Sequence, residues 1–225
     1  MSVLPEASLF IGIIPALILL YISLKGYEGQ YKDKNIFLTF VVGIIFGFIT
    51  AFAQSFTLPG MIIFVVILAF FAQLLKTIAL NIGRLQEKRA TVVYGLSLGL
   101  GFGSAFTPFL IIAAGSLITT DTYVLLLLGI GSVGLILFHG ATGAYIGYGI
   151  YTGKLFKYLL IAIILQLPIG WITDMAIVNS TANSQYLEIS VAGSVIYGVV
   201  VFWYVIKKIM PQTLLQRRKR SKTSK

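Results

Sequence analysis

Few side chains able to carry a proton or attack a carbonyl stand where a catalytic centre could form. The chain holds one histidine, seven acids and no cysteine. His139, in Phe138-His139-Gly140-Ala141-Thr142-Gly143, falls inside a long apolar stretch, and an ionisable residue at that depth is by default a candidate for function. Its structural alternative is a neutral imidazole hydrogen-bonded to a neighbouring helix. Lys76 stands toward the end of another apolar stretch, where its stem is expected to carry the ammonium out to the interface. Glu6, Glu28, Asp33, Glu87, Asp121, Asp174 and Glu188 all fall between the apolar stretches or at their ends. No pair of carboxylates can then be placed inside a bilayer, which removes aspartyl-type proteolysis and carboxylate-based ion coupling. Lack of cysteine removes thiol nucleophiles, disulfides, iron–sulfur ligation and thiolate zinc sites. A single histidine excludes a multi-histidine metal site. Neither a metal nor a cofactor is expected, and a serine–histidine pair would have to draw on Ser97 or Ser104 with His139.

The elements that carry these residues follow from hydropathy. Apolar residues make up 58% of the 225 positions, charged residues 11%, and mean hydropathy is +0.95. A soluble domain is excluded, and an all-α polytopic transmembrane bundle is the class that remains. Seven spans are expected, at roughly 7–25, 35–54, 58–82, 91–119, 122–151, 156–175 and 186–208. Glu6 and the lack of a preceding cation give the first span the wrong polarity for a cleaved signal peptide. Cations mark one side of this arrangement. Lys25, Lys32 and Lys34 lie in the first connection; Lys76, Arg84, Lys88 and Arg89 end or follow the third span; Lys154 and Lys157 fill the fifth connection; the others follow from Lys207 onward. The remaining connections and the N-terminus have none, so the N-terminus is expected outside and the C-terminus in the cytoplasm, with the plasma membrane as the expected location. The transmembrane domain is expected over 1–210 and a basic tail over 211–225.

Packing and surface signals complete the pattern. Gly95, Gly99 and Gly103 on the fourth span and Gly140, Gly143 and Gly147 on the fifth form smooth faces on which helices can approach closely. Pro108 and Pro168 fall inside the fourth and sixth spans and free carbonyls that neighbours or water must satisfy. A kink is expected at each. Asn179-Ser180-Thr181 fits a glycosylation acceptor on the outer side. Arg217, Arg218, Lys219 and Arg220 lie in a polybasic segment suited to anionic lipid headgroups rather than nucleic acid.

Three stretches together carry a family resemblance. Ala72-Gln73-Leu74-Leu75-Lys76, then Tyr94-Gly95-Leu96-Ser97-Leu98-Gly99-Leu100-Gly101-Phe102-Gly103, then His139-Gly140-Ala141-Thr142-Gly143-Ala144-Tyr145-Ile146-Gly147-Tyr148-Gly149 resemble the PrsW family of intramembrane proteases. That family is related to the CAAX-prenyl endopeptidases and bacteriocin-processing membrane proteins. The likeness covers roughly 72–171. Members of the family carry a Glu-Glu-x-x-x-Lys element, a later Glu followed by Asn, and a His on a further helix. Here Lys76 and His139 match, whereas Ala72 and Gln73 replace the paired glutamates, Thr107-Pro108 stands for the later Glu-Asn, and Gln166 occupies a late His-type position. The resemblance implies a shared helical scaffold. The substitutions remove the base that would activate water, a loss that costs about 10²–10⁴ in rate.

The expected function is therefore binding: a degenerate protease or a subunit of a membrane complex. Gln73, Lys76, Thr107, His139 and Gln166 would line a remnant polar cavity, and the glycine faces would hold the bundle or a partner helix. The alternatives are an active, diverged intramembrane peptidase using His139, and a small transporter or channel using the breaks at Pro108 and Pro168.

Overall fold

In the computed structural model the backbone is described for residues 4–83, 85–86, 89–114, 122–179 and 184–213, and within these all side chains except those of 4–9, 107, 110–114, 122, 177–179 and 184. The described chain is helical: α1 (Leu4–Leu24), α2 (Asp33–Gln54), α3 (Ile62–Leu80), α4 (Ala90–Ala114), α5 (Thr122–Tyr151), α6 (Leu155–Asn179) and α7 (Ser184–Tyr204). A wider π turn over Val205–Ile209 continues α7. Among the described residues, Asp33–Gln54, Ile62–Leu80, Tyr123–Tyr151, Leu155–Ala176 and Gln185–Thr213 are long and apolar enough to cross a bilayer, and Phe10–Leu24 and Ala90–Phe106 are shorter apolar helices. The exterior is correspondingly rich in large exposed apolar side chains such as Phe37, Phe48, Ile78, Phe156 and Trp203. A multi-pass membrane protein is the class that these helices define.

α4 forms the axis. It packs on α5, α2 and α1, while α3 and α6 pair with each other at the side and α7 closes on α5 and α6. Glycine sets the spacing between α4 and α5. A Cβ on Gly99 would stand 2.0 Å from the His139 carbonyl oxygen, one on Gly95 2.2 Å from that of Gly143, and one on Gly147 2.4 Å from that of Thr91. Gly103 likewise abuts Ile136. Gly140 departs from this arrangement, because its nearest neighbours are the side chains of Leu100 and Phe202. A second smooth face joins α2 to α4, with Gly43 on the carbonyl of Leu98 and Gly47 on that of Phe102.

Pro108 and Pro168, like Pro15 of α1, lie within helices that run on through them, and near each of the first two a neighbour packs on a carbonyl of the helix. Gly12 of α1 packs directly on the Ser104 oxygen, the acceptor that Pro108 leaves without its N–H. Near Pro168 the Tyr197 hydroxyl donates to the Leu165 oxygen at 2.9 Å.

Polar contacts identify the two ends of the bundle. At one end the Lys32 amide and Asn35 Nδ2 donate to the Tyr94 hydroxyl at 3.1 and 3.2 Å, and Tyr148 donates to Gln212. At the other, the Gly60 amide donates to Asp174 Oδ2 at 2.7 Å and the Tyr123 hydroxyl to Glu188 at 2.7 Å. The described cations of the connections lie at the first end. The tail residues Arg217, Arg218, Lys219 and Arg220 lie outside the described residues. Asn179 closes α6, and its side chain and the rest of its acceptor triplet also lie outside them.

Candidate functional site

Gln73 and Lys76 are one helical turn apart on α3, so they share a face. Both are fully buried, with 0% exposure. The expected route for Lys76 to the interface is thus corrected: its face of α3 turns inward, and the ammonium ends among polar groups of α5. Nζ lies 2.9 Å from His139 Nδ1, 2.9 Å from Thr142 Oγ1 and 3.3 Å from Gln73 Oε1. The Phe102 ring lies beneath it, 4.7 Å from Nζ to the centroid, within the range of a cation–π contact. Gln73 Nε2 in turn donates to Gln166 Oε1 at 2.5 Å, which links α3 to α6.

His139 is held from several directions. Its carbonyl abuts Gly99, and its ring stacks at 4.6 Å centroid distance on Phe102 and at 6.0 Å on Phe106. Thr142, one turn onward, donates its hydroxyl proton to the His139 carbonyl at 3.1 Å. Lone pairs on Thr142 Oγ1 are therefore left for Lys76.

Above this cluster a cavity opens between α2, α3, α5 and α6. Thr50 and Gln54 line it from α2, Leu68 and Ala69 from α3, and Gln166, Thr173 and Asp174 from α6, with His139 at its floor. Space for water centres amounts to about 30 Å³, room for about two waters. The polar residues of α6 recur at Gln166, Thr173 and Asp174 because i, i+7 and i+8 share a helix face. Asp174 stands at the mouth, where Gly60, at φ +87, turns its amide onto the carboxylate. Sequence placed Asp174 at the outer end of the sixth span; it lies in the last turns of α6 and is only 7% exposed.

Of the five residues expected to line a remnant cavity, Gln73, Lys76, His139 and Gln166 form one hydrogen-bonded chain. Thr107 lies on α4, and its side chain is outside the described residues. The serine–histidine pairing is not made: Ser97 Oγ donates to the Ile36 oxygen at 2.8 Å and Ser104 Oγ to the Gly101 oxygen at 2.7 Å. Among the described residues no three His, Asp or Glu side chains gather as a metal-binding set. Thr142, Phe102 and the threonines of the cavity wall were not singled out from sequence. Thr142 follows His139 at i+3, which was the available signal.

Chemically, the arrangement offers the His139 ring and the Gln166 amide to a narrow polar well, with the Lys76 amine bonded to His139 behind it. Among the described residues no carboxylate lies within bonding distance of His139 to act as its orienting partner. Compared with known proteins, the chain matches no family model, no curated protein and no solved structure.

Proposed function

We propose that this membrane protein acts by binding, through the polar well that His139 and Gln166 line and that Gln73 and Lys76 support from behind, and that it does so on a PrsW-like scaffold lacking the catalytic glutamates. The observation that carries the reading is the bonding of Lys76 to His139 at 2.9 Å in a site where glutamine and threonine are the other polar partners. A carboxylate that activates water must lie within reach of it, and Asp174, the acid that lines the cavity, is eight residues along α6 from Gln166, about 12 Å at 1.5 Å per residue. The one-sided distribution of cations supports an orientation with the Asp174 end outside and the tail against the anionic inner leaflet. In this orientation the well opens outward. A helix of another membrane subunit is the partner proposed for the exposed apolar flanks of α3 and α6.

The test is a cleavage assay with purified protein and a quenched transmembrane peptide. No cleavage that depends on His139 is expected. Turnover abolished by His139→Ala would overturn the reading and establish a peptidase instead.

A further inference from the structure

Three polar atoms surround Lys76 Nζ, and two of them have no proton to give it. Thr142 spends its hydroxyl proton on the His139 carbonyl, so its oxygen accepts from Nζ at 2.9 Å. Gln73 presents Oε1, which can only accept, at 3.3 Å, while its amide nitrogen donates to Gln166. The third neighbour, His139 Nδ1 at 2.9 Å, is different, because an imidazole nitrogen accepts when bare and donates when protonated. Two protonation states therefore fit the same heavy atoms. In the first, Lys76 is a neutral amine: two N–H bonds go to Gln73 and Thr142, its lone pair accepts from Nδ1–H, and Nε2 is bare. In the second it is an ammonium: three N–H bonds go to Gln73, Thr142 and Nδ1, and the imidazole proton is on Nε2. Every hydrogen bond is kept in both.

Nε2 is where this pair meets water. It has no hydrogen-bond partner among the described residues, and among their side-chain atoms the one sealed from solvent without a partner is Ser132 Oγ. His139 lines the cavity, so the space that Nε2 touches is the cavity, with room for about two waters. Lys76 is fully buried behind the ring and is not part of the cavity lining. Phe102, its ring centroid 4.7 Å from Nζ, gives the ammonium state an aromatic face.

We infer that His139 and Lys76 form a proton relay at the floor of the well. Cavity water delivers a proton to His139 Nε2 as the Nδ1 proton passes to Lys76 Nζ. The pair gains one proton and one positive charge, which ends on Nζ, while the imidazole stays neutral with its proton moved from Nδ1 to Nε2. Release runs the same steps backwards, and no side chain has to turn. Shuttling of this kind is a usual role of histidine, and ionisable residues within a membrane mark such relays. The relay needs only water in the well and is independent of any other occupant. Asp174 of α6 lines the cavity at its mouth and accepts from the Gly60 amide at 2.7 Å. Tyr197 of α7, packed on Phe138, gives its proton to the Leu165 oxygen at 2.9 Å. α2 and α4 present Thr50, Gln54, Phe102 and Phe106, none of which titrates.

One histidine in the chain means that nitrogen-15 labelling of histidine gives a single imidazole, whose two nitrogens report which of them holds the proton. The purified full chain in nanodiscs is titrated over the pH range in which it stays folded. At high pH the proton is expected on Nδ1 with Nε2 bare, and at low pH on Nε2 with Nδ1 bare, without an imidazolium at either end. An ordinary histidine instead passes from two protonated nitrogens to one; that course, or one tautomer throughout, would overturn the relay. Lys76→Met removes the destination of the proton and is expected to abolish the exchange, whereas a folded variant that still exchanges would overturn it. If that variant does not fold, the wild-type titration decides alone. Asp174→Asn is expected to keep the exchange and move it to lower pH, because the attraction of the carboxylate for the charged state is lost. Disappearance of the exchange in that variant would assign the titration to Asp174 and overturn the relay.

Discussion

Gly99→Ala is the sharpest perturbation of the contact that positions His139. The added Cβ would lie 2.0 Å from the His139 carbonyl oxygen, 2.7 Å from its carbon and 2.9 Å from Gly140 Cα, where ordinary contact begins at 3.4 Å. Helices α4 and α5 must therefore part by about 1.4 Å at this level. All three obstructing atoms are backbone, so no rotamer change relieves the clash, and the penalty falls at the upper end of overpacking costs, about 3 kcal/mol. Alanine regains about 1 kcal/mol of helix propensity, leaving a net loss of about 2 kcal/mol. Gly193→Ala is the matched control: the atom nearest its Cβ is Ile172 Cδ1 at 3.6 Å, so only the propensity gain remains. Reversible unfolding of the purified protein in mixed detergent, followed by circular dichroism, gives both values. Equal stability of the two variants would refute the claim that backbone contact at Gly99 sets the α4–α5 distance.

Three further outcomes are expected. A double-mutant cycle on Gln73→Leu and Gln166→Leu should return a coupling of about 0.6–1.7 kcal/mol, the range for interhelical hydrogen bonds in membranes, and a coupling of zero would mean that α3 and α6 are not joined there. Tyr94→Phe removes the acceptor of the Lys32 amide and of Asn35, and should cost about 1 kcal/mol in the same unfolding assay. Burial pushes the Tyr27 hydroxyl up to about 12 from 10.0; the unfolded chain therefore loses this proton first, and stability present below pH 10 should fall as pH rises toward 12. Tyr27→Phe should make that decline shallower in a thermal melt, and an unchanged slope would remove Tyr27 as a contributor.

Sequence made the scaffold more legible than the site. Glycines three or four residues apart on α4 and α5 predicted a close helix pair, because a missing Cβ has a geometric meaning independent of the partner. The same spacing at Gly43 and Gly47 carried the α2–α4 contact and went unread, although its signal was equally plain. Lys76 was misread because distance from a helix end says how deep a residue lies but not which way its face turns. The α3 face that bears Gln73 and Lys76 is buried by α5 and α6, and neither is near it in sequence. Pairing of Lys76 with His139, 63 residues apart, has no local signal, because neither periodicity nor spacing says which face of α3 meets which face of α5. Asp174 was legible as an acid at the outer end of the sixth span, but its burial was not, because the Gly60 amide that donates to it comes from a turn 114 residues away.

The measurement closest to the central claim uses the natural absence of cysteine. Thr50→Cys on the cavity wall and Thr39→Cys, fully buried with 0% exposure between α2 and α4, are introduced singly into sealed vesicles of known orientation. Silver ions, small enough to follow water, are applied to the Asp174 side, and the free thiol is counted after denaturation. An outward-opening polar well predicts that Thr50→Cys is modified at least tenfold faster than Thr39→Cys and only from that side. Equal rates at the two positions, or faster modification of Thr50→Cys from the opposite face, would contradict it.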